Sequence, residues 1–321
     1  MNFKEIAKEV LLTEANELLS YAENLLDENI EKAVELIFNT KGKLIITGVG
    51  KSGLVGAKIA ATFASTGTSS FFLHPTEAMH GDLGMIGKDD TVLAISYSGE
   101  SEELVKILPH LKRFSVPLIA MAKTKNSTLA QFADIFLSIN VSKEACPLNV
   151  APTSSTTLTL ALGDAMAVCL MKKRDFKTED FASFHPGGSL GKRLFVKIKD
   201  VMRVKNIPIV SHETLLKDAI LKMTDGRLGN VLIIDSENRL IAVLSDGDIR
   251  RALMKDDFSL ENEAIKYATK QPKVIDDSEM LASDALRFIE NSKIQIVPIV
   301  NNNREIQGVL HIHDLVEAGI K

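Results

Sequence analysis

The C-terminal part of the chain contains one sequence pattern twice, and this repeat restricts the fold more than any other feature. Adding 66 to a position beyond about residue 200 gives a matching position, and no gap is needed. The matched residues are Ile209 and Ile275, Leu215 and Leu281, Ala219 and Ala285, Val231 and Val297, Ile233 and Ile299, Leu244 and Leu310, and Asp248 and Asp314. Each copy predicts a short extended segment, a helix, two strands and a closing helix with an aspartate near its N-cap. Because so small a unit cannot bury its apolar face alone, we expect the copies at 196–260 and 261–321 to pack together as an α+β pair.

The residues before this repeat alternate between short apolar runs and helical patterns. The apolar runs lie at 43–47, 70–73, 91–96, 117–121 and 134–139. Such alternation is typical of a parallel sheet with helices on both faces. We therefore predict a doubly wound α/β domain over 1–195, with N-terminal helices in 1–40 and a buried core helix from about Ser154 to Lys173. The segment HPGGSLGKRL at 185–194 interrupts the pattern and is either a linker or an active-site loop.

Charge and cysteine content restrict the classes of partner. The chain has 38 lysine and arginine residues and 42 aspartate and glutamate residues, a net charge of −4, and neither sign forms a long block. We therefore expect neither nucleic acid nor a membrane as a partner. Cys146 and Cys169 are too few for a disulfide framework and fit the reducing cytoplasm. The N-terminus has the pattern of an amphipathic helix and not that of a signal peptide.

The segment TGVGKSG at 47–53 lies where a strand ends and a helix begins, a place suited to an anion. The residues that would contact the anion are Gly50, Lys51 and Ser52. A Walker A loop needs a glycine where the chain has Ile45, so ATP hydrolysis is disfavoured. The three glycines also match a dinucleotide motif, but the next strand ends in FLHP at 72–75, without the acid that binds ribose. A glycine turn needed only for helix packing is the remaining alternative.

The segment ISYSGESEE at 95–103 is a second strand that leads into a helix. Hydroxyl groups alternate here with a glycine, so donors without positive charge converge in a way that suits a phosphate monoester. These hydroxyl donors are Ser96, Ser98 and Ser101, with Thr156 at the start of the long helix. A serine-rich turn is often only a helix cap. Because the carboxyl ends of parallel strands lie at one edge of the sheet, we nevertheless expect both loops to form one site.

Five motifs resemble those of the D-arabinose-5-phosphate isomerase family, in the same order and over essentially the whole chain. They are TGVGKSG, EAMHGDLG, ISYSGESEE, KEACPLNVAPTSSTT and HPGGSLGKRL. The family has a sugar isomerase (SIS) domain followed by a tandem cystathionine β-synthase (CBS, or Bateman) module. The resemblance implies an aldose-ketose isomerase that interconverts D-ribulose 5-phosphate and D-arabinose 5-phosphate through an enediol. The product would supply Kdo, an acidic sugar of lipopolysaccharide and some capsules. The implied active-site positions are Lys51, His80, Glu103, Glu144 and His185.

These five side chains match what the reaction requires. Moving a carbonyl between two carbons needs a base, a cation or acid that stabilises the enediolate, and a proton carrier between the oxygens. We assign Glu144 as the base, because partial burial beside a proline-rich turn is expected to raise its pKa. His185 would carry a proton or open the sugar ring, and Lys51 and His80 would polarise the carbonyl. Glu103 would orient one of them; Glu103 and His185 remain alternatives for the base.

The sequence and the resemblance also lead to expectations about ligands and assembly. No metal or other cofactor is expected to be required, and zinc held by His80 and His185 would inhibit. The pair His311 and His313 is expected on a surface strand. The CBS pair implies an adenosine-nucleotide or sugar-nucleotide ligand between its copies. The helical N-terminus and the family imply a homotetramer in which neighbouring subunits complete each site for a pentose phosphate.

Two other functions agree with parts of the sequence. SIS domains also occur in regulators that bind a sugar phosphate and perform no chemistry. Such a regulator would carry a basic helix-turn-helix, whereas the first 40 residues are acidic and lack one. An isomerase of another sugar phosphate would have similar phosphate loops and stays open, although no amidotransferase domain that would supply ammonia is present.

Overall fold

The N-terminal part of the chain is built around a five-stranded parallel sheet, here in a computed structural model that describes residues 1–320. The strands are β1 Leu44–Gly48, β2 Ser70–Phe72, β3 Thr91–Ile95, β4 Leu118–Ala122 and β5 Ile135–Ser138. They are ordered β2-β1-β3-β4-β5, and all four pairings are parallel. The central strands β1, β3 and β4 are buried along their whole length, as expected when helices cover both faces. The predicted doubly wound parallel sheet is confirmed.

Helices cover the two faces of this sheet. They are α1 Phe3–Asn24, α2 Asn29–Asn39, α3 Gly50–Ser65, α4 Pro75–Met79, α5 Glu102–Arg113, α6 Thr128–Phe132, α7 Ser154–Lys173 and α8 Thr178–Phe184, with a 3₁₀ turn at Asp82–Met85. Successive strand residues point to opposite faces. Ile46 therefore packs in the core formed with α2, α3 and α7, whereas Ile45 packs in the core formed with α5.

Helix α7 is the central helix of one face. By length and composition it could span a membrane, but half of its most apolar window is buried inside the domain. It packs against α1, α2 and α3, and Asp164 in its middle pairs with Lys58 of α3 at 2.6 Å. Gly163 permits this close approach, because a Cβ added there would lie 2.6 Å from the side chain of Ile59. The predicted buried core helix is therefore observed.

The C-terminal part contains the repeat as two similar α+β halves. Its strands are β6 Ile209–Ser211, β7 Asn230–Ile234, β8 Leu240–Ser245, β9 Thr269–Lys270, β10 Ile296–Val300 and β11 Ile306–His311. Its helices are α9 Ser189–Phe195, α10 Ile198–Val201, α11 Leu216–Gly226, α12 Asp246–Ala252, α13 Ala282–Ser292 and α14 Ile312–Glu317, with a 3₁₀ turn at Ala264–Lys266. Strands β7 and β8 pair antiparallel with Val231 opposite Leu244, and β10 and β11 pair in the same way with Val297 opposite Leu310.

Smaller details of the two halves repeat at the same spacing of 66 residues. Arg227 after α11 and Lys293 after α13 both have left-handed backbone, with φ of 53° and 54°. Asp248 and Asp314 complete reciprocal caps at the starts of α12 and α14. The two halves contribute to one shared core of Leu228, Leu232, Leu240, Val243, Ile296, Val300 and Val309. The predicted tandem CBS module is confirmed.

The chain divides into two units, Met1–Phe184 and His185–Lys321. The division lies before the segment 185–194, which the sequence analysis assigned to the first domain. Within the second unit, α9 contacts α13, and the hydroxyl of Ser283 donates to the carbonyl oxygen of Arg193 at 2.9 Å. Each unit has hydrophobic cores of its own.

Candidate active site

The loop between β1 and α3 presents backbone N–H groups at the carboxyl edge of the sheet. Gly50 has a left-handed φ of 59°, and no side chain caps the first N–H groups of α3. Gly48 is needed for packing, because a Cβ there would lie 2.8 Å from the carbonyl oxygen of Ile95. Lys51 is exposed in the first turn of α3. The loop therefore combines close packing with uncapped donors and a cation, which together favour an anion.

The loop between β3 and α5 holds three hydroxyl groups at the same edge. The hydroxyls of Ser96 and Ser101 lie 2.9 Å apart, and the N–H of Gly99 donates to Ser96 Oγ at 3.1 Å. Gly99 has φ of 72° and lies so close to the side chain of Ser127 that a Cβ has no room. The Ser101 side chain makes no cap bond to α5, and Ser98 is exposed. The tight turn thus leaves hydroxyl groups available to a ligand.

These two loops and the start of α7 surround one cavity of about 320 Å³. Six of the predicted site residues line it: Lys51, Ser52, Ser96, Ser98, Ser101 and Thr156. Gly50 is adjacent to them in the chain but does not line the cavity. The lining also includes residues that the sequence analysis did not name, which are Val49, Tyr97, Ile139, Pro152, Ser155 and Thr159. Tyr97 lies inside a recognised motif, which was its only signal, whereas Ser155 belongs to the run of hydroxyl residues that opens the long helix.

Glu144 lies next to the start of α7 and is only 9% exposed. Its Oε2 accepts hydrogen bonds from the N–H and the hydroxyl of Thr153, at 2.8 and 2.9 Å, and from the N–H of Ser155 at 3.3 Å. The N–H of Glu144 donates to Asn149 Oδ1 at 2.8 Å, and the N–H of Ala145 donates to Thr153 Oγ1 at 2.8 Å. The carboxylate therefore caps α7 from outside the helix, and Ser155 connects it to the cavity lining.

The pKa of Glu144 contradicts the expectation from sequence. Burial raises the pKa, but the hydrogen bonds from Ser155 and Thr153 stabilise the ionised carboxylate and outweigh burial, so the pKa lies below its usual value. The expected rise is therefore wrong, because it considered burial and not the donors at the start of α7. Tyr97 is affected in turn: burial, with a smaller contribution from the charge of Glu144, raises its pKa.

Besides Glu144, three of the predicted catalytic residues do not line the cavity. His80 is exposed at the end of α4, with Nδ1 at 2.8 Å from the carbonyl oxygen of Thr76. Glu103 is exposed in the first turn of α5. His185 is the first residue of the second unit. The first unit thus brings together Lys51 and the proposed phosphate-binding hydroxyls, with Glu144 one residue contact away, and does not by itself assemble the whole predicted set.

The histidine pair near the C-terminus has a different place from the one predicted. His311 ends β11 and His313 lies in α14, so the pair is not a surface strand. The rings lie 4.8 Å apart, edge to face, and the N–H of His313 contacts Nδ1 of His311 at 3.1 Å. Burial, and then the neighbouring His313, lower the pKa of His311. Among residues 1–320, no group of three or more histidine, cysteine, aspartate and glutamate side chains is arranged to hold a metal ion.

Known proteins resemble the chain along its whole length. Residues 36–169 match the SIS domain, and residues 198–255 and 264–321 match the CBS domain. A probable arabinose 5-phosphate isomerase of Haemophilus influenzae is 46% identical over 311 residues, which cover 97% of this chain and 91% of that protein. Arabinose 5-phosphate isomerase KdsD of Francisella tularensis is 45% identical over 309 residues, which cover 95% of this chain and 94% of that protein. A solved structure of c3406 from Escherichia coli CFT073 in complex with arabinose 5-phosphate is 41% identical with a TM-score of 0.56, covering 58% of this chain and 100% of that chain.

Proposed function

The chain belongs to the arabinose 5-phosphate isomerase family, and we propose that it interconverts D-ribulose 5-phosphate and D-arabinose 5-phosphate through an enediol. The observation on which this rests is the identity of about 45% to isomerases of this name over nearly the whole chain. The cavity at the sheet edge supports it, because its lining has the donors that a phosphorylated sugar requires. It is an aldose-ketose isomerase, and its substrate class is the sugar phosphates.

We propose that the phosphate group binds at the two strand-end loops. The hydroxyls of Ser96, Ser98 and Ser101 line the cavity from the loop after β3, and Lys51 and Ser52 line it from the loop after β1. Uncapped N–H groups of α3 add donors, and the positive end of the helix dipole favours the phosphate dianion. Lys51 supplies the one full positive charge among the described residues of the lining. These contacts form with substrate and transition state alike, so they provide binding and not acceleration.

We propose that Glu144 is a positioning residue and not the base. A general base acts best when its pKa lies near the working pH and its oxygen can reach the proton. Glu144 has a lowered pKa, and its Oε2 already accepts hydrogen bonds from Thr153 and Ser155. Its ionised carboxylate instead holds the start of α7, and with it Thr156, at the edge of the cavity.

We assign proton abstraction to Glu103, one of the alternatives left open by the sequence. Its helix begins directly after the serine loop, so a phosphate held by that loop would place the sugar near the start of α5. With Lys51 assigned to the phosphate, His80 would polarise the carbonyl, and His185 would carry the proton between the two oxygens. Lys51, His80 and Glu103 are exposed in the single chain, so we propose that a neighbouring chain encloses them.

We propose that a homotetramer provides this enclosure. Helix α1 buries Tyr21 but exposes Phe3, Leu11, Leu12 and Leu19. So much exposed apolar surface on a 22-residue helix is typical of an interface. Neighbouring SIS domains would then complete the surroundings of His80 and Glu103. Light scattering should give four times the chain mass of 35.1 kDa. A monomer with full activity would contradict the proposal.

We propose further that no cofactor takes part in the reaction, because acids, bases and a cation of the chain suffice for enediol chemistry. The CBS module is proposed to bind an adenosine nucleotide or a sugar nucleotide, in a cavity of about 820 Å³.

Both cysteines are free, which agrees with the proposed cytoplasmic location. That the arabinose 5-phosphate product supplies Kdo synthesis is proposed from the family alone.

One experiment tests the proposed reaction directly. Purified protein is incubated with ribulose 5-phosphate in D₂O, and the product is identified by NMR. We expect arabinose 5-phosphate with deuterium at C2, because an enediol route passes the proton through a group that exchanges with water. Ribose 5-phosphate as product would assign a different isomerase, and no product would support a regulator without chemistry. The same assay is repeated with a Lys51→Ala variant, which should bind the substrate more weakly than the wild type does.

A further inference from the structure

The two clefts of the CBS module are related by the repeat but differ at one position. Thr269 of β9 pairs antiparallel with Val243, and Arg203 pairs antiparallel with Val309. The two pairs are separated by 66 residues, so Arg203 takes in the second cleft the place of Thr269 in the first. Both residues face the aspartate near the cap of the closing helix. The repeat thus provides an internal comparison of a threonine with an arginine in equivalent surroundings.

The first cleft is an open cavity of about 820 Å³. Thr269 is short, and its hydroxyl lies 3.4 Å from Oδ1 of Asp248. The cations Arg250, Arg251, Lys273 and Lys293 line the cavity. Arg251 pairs with Asp248 at 2.6 Å, but its side chain is 72% exposed and lies at the rim. The cleft combines a buried acceptor with several cations, which suits a ribose hydroxyl and a phosphate.

The second cleft repeats the backbone pairing of the first, but an arginine side chain stands where the first has a threonine. The guanidinium of Arg203 reaches Oδ1 of Asp314 at 3.1 Å, and the two side chains are 36% and 18% exposed. The residues equivalent to Gly247, Arg250 and Arg251 are His313, Val316 and Glu317. A bulky ring thus replaces the open glycine, and of the four cations only the equivalent of Lys293, which is Arg227, is retained. A nucleotide would have to break a partly buried ion pair and would gain little.

We propose that Arg203 closes the second cleft, so that the CBS module takes one ribonucleotide per chain, in the first cleft. The ligand is a nucleoside phosphate or a nucleoside diphosphate sugar, whose phosphate contacts the four cations. This inference rests on the nucleotide ligand proposed above and does not depend on the isomerase reaction. The side chain of Arg203 acts as a built-in cation that keeps Asp314 from a ligand.

Binding to the full chain tests the stoichiometry. AMP, ATP, CMP and UDP-glucose are each titrated by calorimetry and equilibrium dialysis. We expect one equivalent per chain for at least one of them. Two equivalents would overturn closure of the second cleft, and no binding of any of the four would overturn the nucleotide assignment of the first. Turnover of ribulose 5-phosphate by the same samples tests the isomerase function separately.

Replacing Thr269 of the first cleft by the arginine found at the equivalent position of the second cleft tests the role of Arg203. Thr269→Arg places the arginine of the second cleft in the first and should weaken binding at least about tenfold, because the competent open state becomes rare. Thr269→Ser keeps a small hydroxyl and should bind as the wild type does. If Thr269→Arg also bound as the wild type does, closure by this arginine would be wrong. Melting curves of both variants check that they fold.

A second pair of variants locates the site without changing the cleft floor. Lys293 and Arg227 occupy equivalent left-handed positions, and Lys293 lines the first cleft. Lys293→Ala should weaken binding several-fold, because it removes a cation that faces the phosphate. Arg227→Ala should leave the dissociation constant unchanged. An equal effect of the two substitutions, or a larger effect of Arg227→Ala, would place the ligand elsewhere and overturn the proposal.

Discussion

Thr153 donates both its backbone N–H and its hydroxyl to one oxygen of Glu144, at 2.8 and 2.9 Å. Thr153 immediately precedes α7, whose first N–H groups have no partners within the helix. A buried carboxylate at this point accepts hydrogen bonds from some of these N–H groups. Its negative charge also interacts favourably with the positive end of the helix dipole. Because Ser155 and Thr156 of the same turn line the cavity, the contact that stabilises α7 also positions the site.

Replacing Glu144 by glutamine tests this link. Glu144→Gln keeps an acceptor but removes the charge, and hydrogen bonds to charged groups contribute about 1.5–3 kcal/mol. We expect the free energy of unfolding to fall by about 1–3 kcal/mol, with a higher KM and a lower kcat together. Glu179→Gln, an exposed glutamate of α8, is the control and should change neither. A variant of unchanged stability and KM that lost only kcat would return the role of base to Glu144.

The lowered pKa of Glu144 predicts how stability depends on pH. The folded state holds this carboxylate ionised below the pKa of the unfolded chain, which is about 4.3. Its contribution is therefore fully present above that value and is lost as the pH falls through the folded pKa. We expect the difference in unfolding free energy between wild type and Glu144→Gln to be constant from pH 7 to about 5 and to shrink below about 4. A difference that did not change on acidification would contradict this assignment.

Much of the fold could be predicted because its signals are local. Strand ends that run into helices place the loops after β1 and β3 at one sheet edge, and Ser96, Ser101 and Lys51 do line one cavity there. The repeat of 66 residues is likewise visible in sequence, and it reappears in the paired positions Arg227 and Lys293.

The surroundings of individual side chains could not be predicted in this way. The pKa of Glu144 depends on Thr153, which a turn brings back to it over nine residues. Closure of a CBS cleft depends on Arg203 meeting Asp314, 111 residues later. The motifs identify His80 and Glu103 as candidate site residues. Which other groups surround these two side chains depends on contacts that form only in the folded protein. Long-range contacts of this kind leave no periodic signal in the chain.

A substitution at Ser98 tests whether the serine loop contributes to substrate binding rather than to the chemical step. The residue is exposed in the serine loop and lines the cavity, so we propose a contact with the phosphate in ground and transition states. Ser98→Ala should raise KM about 10- to 100-fold, the value of one hydrogen bond to a charged group, with kcat within about twofold. Ser65→Ala is the control, because that hydroxyl donates to the carbonyl oxygen of Thr62 in its own helix. A loss confined to kcat would remove Ser98 from the phosphate site.

Two shortened chains test the segment after the first unit. A chain ending at Phe184 keeps the first unit and lacks His185, whereas a chain ending at Phe195 keeps both. We expect measurable turnover of ribulose 5-phosphate from the longer one and a loss of about a hundredfold or more from the shorter one, because the proton carrier is missing. Circular dichroism checks that both fold. Equal turnover of the two would exclude a role for His185 in the reaction.

Glu103 and its neighbour Glu102 provide the sharpest test of the base. Both belong to the first turn of α5, and the side chain of Glu102 is 84% exposed and pairs with Lys106 at 3.3 Å. Glu103→Gln preserves size but removes the group that would accept the proton, so kcat should fall about 10²- to 10⁴-fold, while KM changes only a few-fold. Deuterium incorporation at C2 should fall in parallel, because abstraction and exchange use the same group. Glu102→Gln should leave both measurements unchanged, since loss of an exposed ion pair has little effect. If Glu103→Gln still exchanged and isomerised at nearly the wild-type rate, Glu103 would not be the base, and His185 would become the next candidate.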